Sequence, residues 1–265
     1  MTKYASDEDE WRAYLDGTHP SIRFGQRTFR FVPYGPRCKL CSVPFAGPGQ
    51  FLLGRFGFTP WAKNPNICAR CVTWLGRNEV SGAEIDVTFL FADVRRSSDL
   101  ARRIGTMEFT RLMQRFYAVA TEVLVGDQAI VEKFVGDAVV GFFLPLMTGP
   151  EHAAAAVRAA EHLLAATGHG DGDGPWLPLG AGVHTGTAFV GIVKSGATSE
   201  FTAFGDAINV AAHVAAQAAP GEILVSEAAA TASGLDVEGR ERRRLSLKGH
   251  SVDAVVVSLP SASPA

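Results

Sequence analysis

The sequence predicts an α+β domain, a sheet covered by helices, preceded by a small cysteine-rich module. Three observations predict it. From residue 84 onward, strand-like apolar runs alternate with helical periodicities. Two dipeptides, Gly136-Asp137 and Thr185-Gly186, join adjacent strand-like runs directly, as hairpin turns do. All four cysteines fall within residues 35–80, a stretch rich in Gly, Pro and Asn.

Residues 1–34 read as an acidic, helical start followed by a basic stretch with Arg23, Arg27 and Arg30, continued by Arg37. Residues 35–80 show neither a sustained 3.6 nor a 2.0 periodicity, so this segment is not expected to build a core by itself. Residues 78–83 read as a linker. A buried strand is expected over 85–92, then helices over 98–104 and 107–125, the second with Phe109, Leu112, Met113, Phe116 and Val119 on one face. Strands over 129–135 and 138–144 flank Gly136-Asp137. An Ala-rich helix over 151–166 and a flexible loop over 168–175 follow. Residues 177–184 and 188–193 form the second expected hairpin, around Thr185-Gly186. After Gly205 a helix is expected to Ala218, then strands over 222–225 and 252–259, with residues 260–265 a disordered tail.

Composition narrows the function. A hydrophobic share of 47% supports a real core, and a net charge of -2 gives no global attraction to nucleic acid or anionic lipid. No apolar run approaches the roughly 18 to 20 residues of a membrane span. The longest, residues 138–147, contains Gly141 and Pro145. Residues 1–11 are acidic and polar, unlike a secretory signal. The expectation is a cytoplasmic protein with neither membrane nor nucleic acid as partner. There, cysteines are thiols or metal ligands rather than disulfides.

Two acids stand out. Asp93, in Phe91-Ala92-Asp93-Val94, and Asp137, in Lys133-Phe134-Val135-Gly136-Asp137, each follow a buried apolar run. Carboxylates held at strand ends are what a pair of hard divalent cations needs, with substrate phosphates completing the shell. The cysteines form Cys38-Lys-Leu-Cys41 and Cys68-Ala-Arg-Cys71, two knuckles 26 residues apart. Four thiolates fit a tetrahedral Zn²⁺ site, although zinc ribbons usually space their knuckles by about 15 to 20 residues. An iron-sulfur cluster or free thiols are the alternatives.

Five motifs occur in order: Phe91-Ala92-Asp93-Val94-Arg95, Lys133-Phe134-Val135-Gly136-Asp137, Gly182-Val183-His184-Thr185-Gly186, Phe204-Gly205-Asp206-Ala207-Ile208-Asn209-Val210-Ala211 and Leu247-Lys248-Gly249. Together they resemble the class III nucleotidyl cyclase catalytic domain over residues 84–259. The resemblance implies a ferredoxin-like βαββαβ domain with helices on a mostly antiparallel sheet. It implies that Asp93, the Val94 carbonyl and Asp137 hold two Mg²⁺ or Mn²⁺ ions. Lys133 and Thr202 fall at the base-selecting positions, Asn209 at the ribose position and Lys248 at the β- and γ-phosphate position. A lysine only donates, which suits the adenine N1 acceptor, and a threonine hydroxyl accepts from the adenine amino group. The implied reaction converts ATP to 3′,5′-cyclic AMP and pyrophosphate in a head-to-tail homodimer. Asp93 and Asp137 would come from one copy and the nucleotide-binding residues from the other.

Two positions depart from the family pattern. His213 stands where relatives place an arginine that stabilises the α-phosphate, and Arg96 stands where they place a glycine. Histidine lacks the guanidinium fork, so Arg96 is expected to reach the phosphates and partly replace it. The alternative reading of the departure is a degenerate domain that binds nucleotide or a partner with little turnover. His184 is expected to be structural. The thiolate site would be regulatory or structural, because cyclase chemistry uses no thiolate-bound metal.

Overall fold

The computed structural model describes residues 4–29, 31, 35–62, 64–76, 81–195, 198–247 and 250–258. In chain order the elements begin with α1 (Asp7–Leu15), α2 (Pro20–Phe29) and α3 (Gly47–Leu53), followed by β1 (Pro60–Trp61), β2 (Asn64–Cys68) and α4 (Ala69–Leu75). Then come β3 (Gly82–Val94), α5 (Ser97–Ile104), α6 (Thr106–Gly126), β4 (Ile130–Val135), β5 (Ala138–Phe143), α7 (Pro145–Thr148) and α8 (His152–Ala166). The chain continues through β6 (Leu179–Ser195), β7 (Thr198–Phe204), α9 (Asp206–Ala216) and β8 (Glu222–Ser226). It closes with α10 (Glu227–Ser233), β9 (Arg242–Leu247) and β10 (His250–Ser258). No helix among the described residues is long and apolar enough to cross a membrane.

The chain divides into two compact units. One comprises residues 87–143, 151–186 and 206–265, the other residues 1–86, 144–150 and 187–205, so β3 and β6 each run through both. The first has the α+β architecture expected: strand order β4-β5-β3-β6-β8-β10-β9, with β4–β5, β5–β3, β8–β10 and β10–β9 antiparallel and β6–β8 parallel. Its core joins Leu90 and Ala92 of β3, Met113, Phe116, Ala120 and Leu124 of α6, and Leu163 of α8, with Val183 and Val225 from the sheet. The 3.6 spacing of those α6 residues drives the packing, because one apolar stripe is what the sheet face can cover. Alanines 155, 156, 159 and 160 of α8 are fully buried. Side chains that small let a helix approach its neighbours closely.

The second unit begins with α1, whose N-cap Ser6 accepts from the Asp9 N–H. Trp11, Tyr14 and Leu15 of α1 and Ile22 of α2 are buried, as are Leu40, Val43, Ile67 and Leu75 of the cysteine-rich stretch. A Cβ on Gly25 of α2 would lie 2.5 Å from the Cys41 carbonyl oxygen, so α2 rests directly on the first knuckle.

The second expected hairpin is not where the sequence placed it. Thr185-Gly186 is not a turn: β6 runs unbroken through it, and its hairpin partner is β7, antiparallel from Phe189↔Phe204 to Ser195↔Thr198. The glycines serve close approach instead. A Cβ on Gly182 would lie 2.3 Å from the Ala215 nitrogen, and one on Gly191 would lie 2.2 Å from the Ser81 oxygen. Neither glycine, nor Gly186, has a positive φ. By contrast Gly136 does, at φ 60, and there the expected hairpin turn between β4 and β5 is present.

Candidate functional site

Asp93 ends β3 and Asp137 closes the β4–β5 turn. The register that pairs Asp93 with Ala138 brings the strand end beside the turn, and the Val94 N–H donates to the Asp137 carbonyl at 3.2 Å. The Tyr117 hydroxyl donates to the Gly136 carbonyl, and its ring packs on Phe134 with centroids 4.4 Å apart, which fixes the turn to α6. Asp93 is half-buried. Burial pushes its pKa up, the Arg95 guanidinium pulls it down, and the Asp137 charge pushes it up again. A second carboxylate close enough to raise the Asp93 pKa makes the pair a cation-seeking one.

Arg95 was not singled out as a separate site residue by the sequence reasoning. Its side chain is only 12% exposed. Nη2 donates to Asp93 Oδ2 at 2.7 Å and Nε to the Asp93 carbonyl at 3.1 Å. Nη1 reaches the carbonyls of Ala215, Ala216 and Ala218 at 3.4, 3.2 and 3.3 Å. Those carbonyls lie at and just beyond the C-terminal end of α9, where backbone acceptors run short of helical partners. Arg95 thereby ties the Asp93 carboxylate to the helix that carries Asn209 and His213. The available sequence signal was a basic residue two positions beyond a strand-end acid.

Lys133 follows a β-bulge: Val131 pairs with Gly141 and Lys133 with Val140, which leaves Glu132 as the extra residue. The Lys133 side chain is 55% exposed, with Nζ 3.3 Å from Glu132 Oε1. Asn209 and His213 are both exposed and lie four residues apart on α9, on one face. Arg96 takes the left-handed conformation (φ 55) at the N-cap of α5 and pairs with Asp99 at 3.1 Å. With Arg95 and Arg103 it lines a groove of about 530 Å³ that Pro175, Trp176 and Pro178 close on the other side. Thr202 lies in the second unit, on β7, directly across from Gly191. Lys248 lies outside the described residues. His184 Nδ1 lies 2.8 Å from Ser226 Oγ, a structural contact.

The four cysteines converge. Their sulfurs all lie within 4.8 Å of one another, with Cys38–Cys71 at 4.0 Å and Cys41–Cys68 at 3.8 Å. Each knuckle has its own local cause. In the first, the Ser42 N–H donates to the Cys38 carbonyl and Ser42 turns back with φ 60. In the second, Cys68 is the N-cap of α4 and its sulfur accepts from the Cys71 N–H at 3.4 Å. The Cys68 N–H donates to Cys38 Sγ at 3.3 Å and joins the two knuckles. Hydrogen bonds from Cys41, Cys68 and Cys71 hold the Cys38 thiol far below its usual pKa. A single ion with metal–sulfur bonds of about 2.3 Å has tetrahedral S···S edges of about 3.8 Å, and the observed separations fit it. A cluster whose cysteines ligate different irons spreads its thiolates wider.

Residues 80–258, more than half of the chain, match the family model of the adenylate and guanylate cyclase catalytic domain, and the chain belongs to that family. It is 28% identical over 181 residues to the uncharacterised protein Rv1318c of Mycobacterium tuberculosis, covering 66% of this chain and 32% of that one. To guanylate cyclase 2G of Mus musculus it is 27% identical over 192 residues, 67% of this chain and 17% of that one. The chain thus spans a third or less of the length of these relatives. The fold is that of the guanylyl cyclase Cya2 (TM-score 0.59, 20% identity, 69% of this chain and 96% of that one). It is also that of the adenylyl cyclase CyaB from P. aeruginosa (TM-score 0.57, 22% identity, 70% and 100%).

Proposed function

We propose that the chain is an adenylyl cyclase that converts ATP to 3′,5′-cyclic AMP and pyrophosphate in a head-to-tail homodimer. The observation that carries this reading is the Asp93–Asp137 pair, held at adjoining backbone positions with an exposed Lys133 on the same hairpin. The acids and the Val94 carbonyl would hold two Mg²⁺ or Mn²⁺ ions, which activate the ribose hydroxyl and neutralise the triphosphate. Lys133 and Thr202 from the other copy read the adenine, because a lysine donor suits N1 of adenine and repels the N1–H of guanine. Asn209 orients the ribose and Lys248 the outer phosphates. Exposed apolar residues lie beside these positions: Phe134 and Val135 next to Lys133, and Phe204 near Thr202. Apolar groups of that kind favour burial against a second copy. Zn²⁺ at the four cysteines completes the reading.

A second reading, nucleotide binding without turnover, is favoured by His213. One experiment separates the two. Wild type is assayed with ATP and with GTP, in Mg²⁺ and in Mn²⁺, and Asp137→Ala is mixed with Lys133→Ala. The expected result is cyclic AMP from wild type and recovery of activity in the mixture from two inactive variants. Cyclic GTP as the main product would overturn the base assignment. Absence of recovery would overturn the shared site, and ATP binding with no product in either metal would leave the second reading.

A further inference from the structure

We infer that the four-cysteine centre is a mononuclear Zn²⁺ site whose loaded state holds the β6–β7 hairpin, and with it Thr202, in place. The contacts run through one compact unit. Cys68 and Cys71 set the start of α4, and the helix ends at Gly76. A Cβ on Gly76 would lie 3.5 Å from both Ile192 Cδ1 and Cγ2, so the end of α4 packs on a buried side chain of β6. The Ile192 N–H donates to the Ser81 carbonyl. Residues Ser81 and Gly82 meet Gly191 backbone to backbone: a Cβ on Gly82 would lie 2.8 Å from the Gly191 Cα and 2.6 Å from the Val190 carbonyl oxygen. Gly191 is the residue opposite Thr202 in the β6–β7 register.

The module meets the hairpin where the end of α4 packs on Ile192, and the start of β3 meets the same strand at its glycines. The glycines at 82 and 191 put main chain against main chain, and packing that close transmits a shift instead of absorbing it. The module itself has few resources for order without a metal. Its α4 has seven residues, β1 two and β2 five, lengths too short to be stable alone. Small centres of this kind draw folding free energy from the ion. Cys41 and Cys71 are partly exposed and line a cavity of about 210 Å³ together with Tyr14, Leu40, Phe58 and Trp74.

The consequence for nucleotide, which rests on the cyclase reading, is that metal loss acts through base recognition. The aspartate pair lies in the other unit, and its hold on catalytic ions is a separate matter. ATP should therefore lose affinity with little change in the Mg²⁺ requirement.

The test uses the full chain without nucleotide. Metal content is measured on the purified protein, and backbone hydrogen exchange is followed in β7 and in β8 before and after zinc removal with a chelator. The expected result is one zinc per chain and exchange in β7 at least tenfold faster after removal, with β8 within twofold. Added Zn²⁺ should restore protection and added Mg²⁺ should not. Because cysteine variants can fail to fold, Ile192→Ala serves as the uncoupler. It leaves all four thiols, so zinc stays at one per chain while β7 exchange rises. Unchanged β7 exchange in the zinc-free protein or in Ile192→Ala overturns the inference, as does an iron chromophore in place of zinc. None of these readouts depends on turnover, so a failure of the cyclase reading shows up separately, in the product assay.

Discussion

Replacing Arg95 with methionine removes the guanidinium but keeps a stem of similar shape. The charge-assisted bond from Nη2 to Asp93 Oδ2, at 2.7 Å, is lost, at a cost of about 1.5–3 kcal/mol for a bond to a charged group. The contacts to the Ala215, Ala216 and Ala218 carbonyls are longer, 3.2–3.4 Å, and a cation at a helix C-terminus contributes about 0.3–1 kcal/mol. Together these predict a loss of roughly 2–4 kcal/mol, or about 4–16 °C in Tm at 2–4 °C per kcal/mol for a unit of this size. The sign of the pH dependence follows from Asp93. Arg95 pulls the Asp93 pKa down against burial, so the variant's Asp93 titrates higher still. The difference between wild type and variant is therefore full above the Asp93 pKa and shrinks as pH falls through it. In the wild type, the raised Asp93 pKa means that this group's contribution to stability is present below the ordinary carboxylate pKa and is lost as pH rises through the folded value. A divalent cation at the pair reverses that trend. Thermal melts across pH, with and without Mn²⁺, provide the assay. A Tm difference under about 1 °C, or one independent of pH, would refute the role given to Arg95.

Three other perturbations have clear expected outcomes. His213→Arg should raise kcat by roughly 10²–10³ with little change in KM, since one transition-state donor is worth about that much; steady-state assays with Mn²⁺ check it, and an unchanged kcat removes position 213 from the chemistry. In the same assay, Arg96→Gly should slow the His213 enzyme if Arg96 supplies the missing charge, and have no effect if its pairing with Asp99 is its whole role. Gly182→Ala puts a Cβ 2.3 Å from the Ala215 nitrogen, a clash with backbone that no rotamer relieves, and should cost about 1–3 kcal/mol or more. Urea denaturation measures it against Gly126→Ala, where nothing lies within 4 Å and the helical change should be neutral or stabilising by up to about 1 kcal/mol.

What the sequence made legible follows how each element is buried. Strands β3 and β5 are covered on both faces, so their apolar runs are nearly continuous and carry their own evidence. Helix α6 shows its stripe because one face alone is covered. Strand β9 went unanticipated because it closes one end of the strand order, as Arg242-Arg243-Arg244-Leu245-Ser246-Leu247, with only Leu245 and Leu247 buried. Charge on an edge strand blocks further pairing and also erases the alternation that would reveal it. The seven-residue α10 escaped for a related reason: it is too short for a periodicity, and its signals are local, a Ser226 cap and Gly234 at φ 65.

The glycines of β6 show where sequence reasoning meets its limit. Thr185-Gly186 and Gly136-Asp137 look alike as turn dipeptides. They differ in what surrounds them, and surroundings are tertiary. Gly136 has open space beside it and a positive φ, whereas a Cβ on Gly186 would lie 3.0 Å from the Ala207 Cβ. A turn glycine answers to its own backbone, and a packing glycine answers to a partner far along the chain. The same distinction applies to the site. Asp93 and Asp137 could be picked out because each sits at a strand end or turn defined by its own neighbours, whereas Lys133, inside β4, was read through its family motif. Arg95 could not, because its carbonyl partners lie about 120 residues away, at Ala215, Ala216 and Ala218. A residue whose role is to join two distant elements carries little local signature, and Arg95 is such a joint, between a strand-end acid and the end of α9.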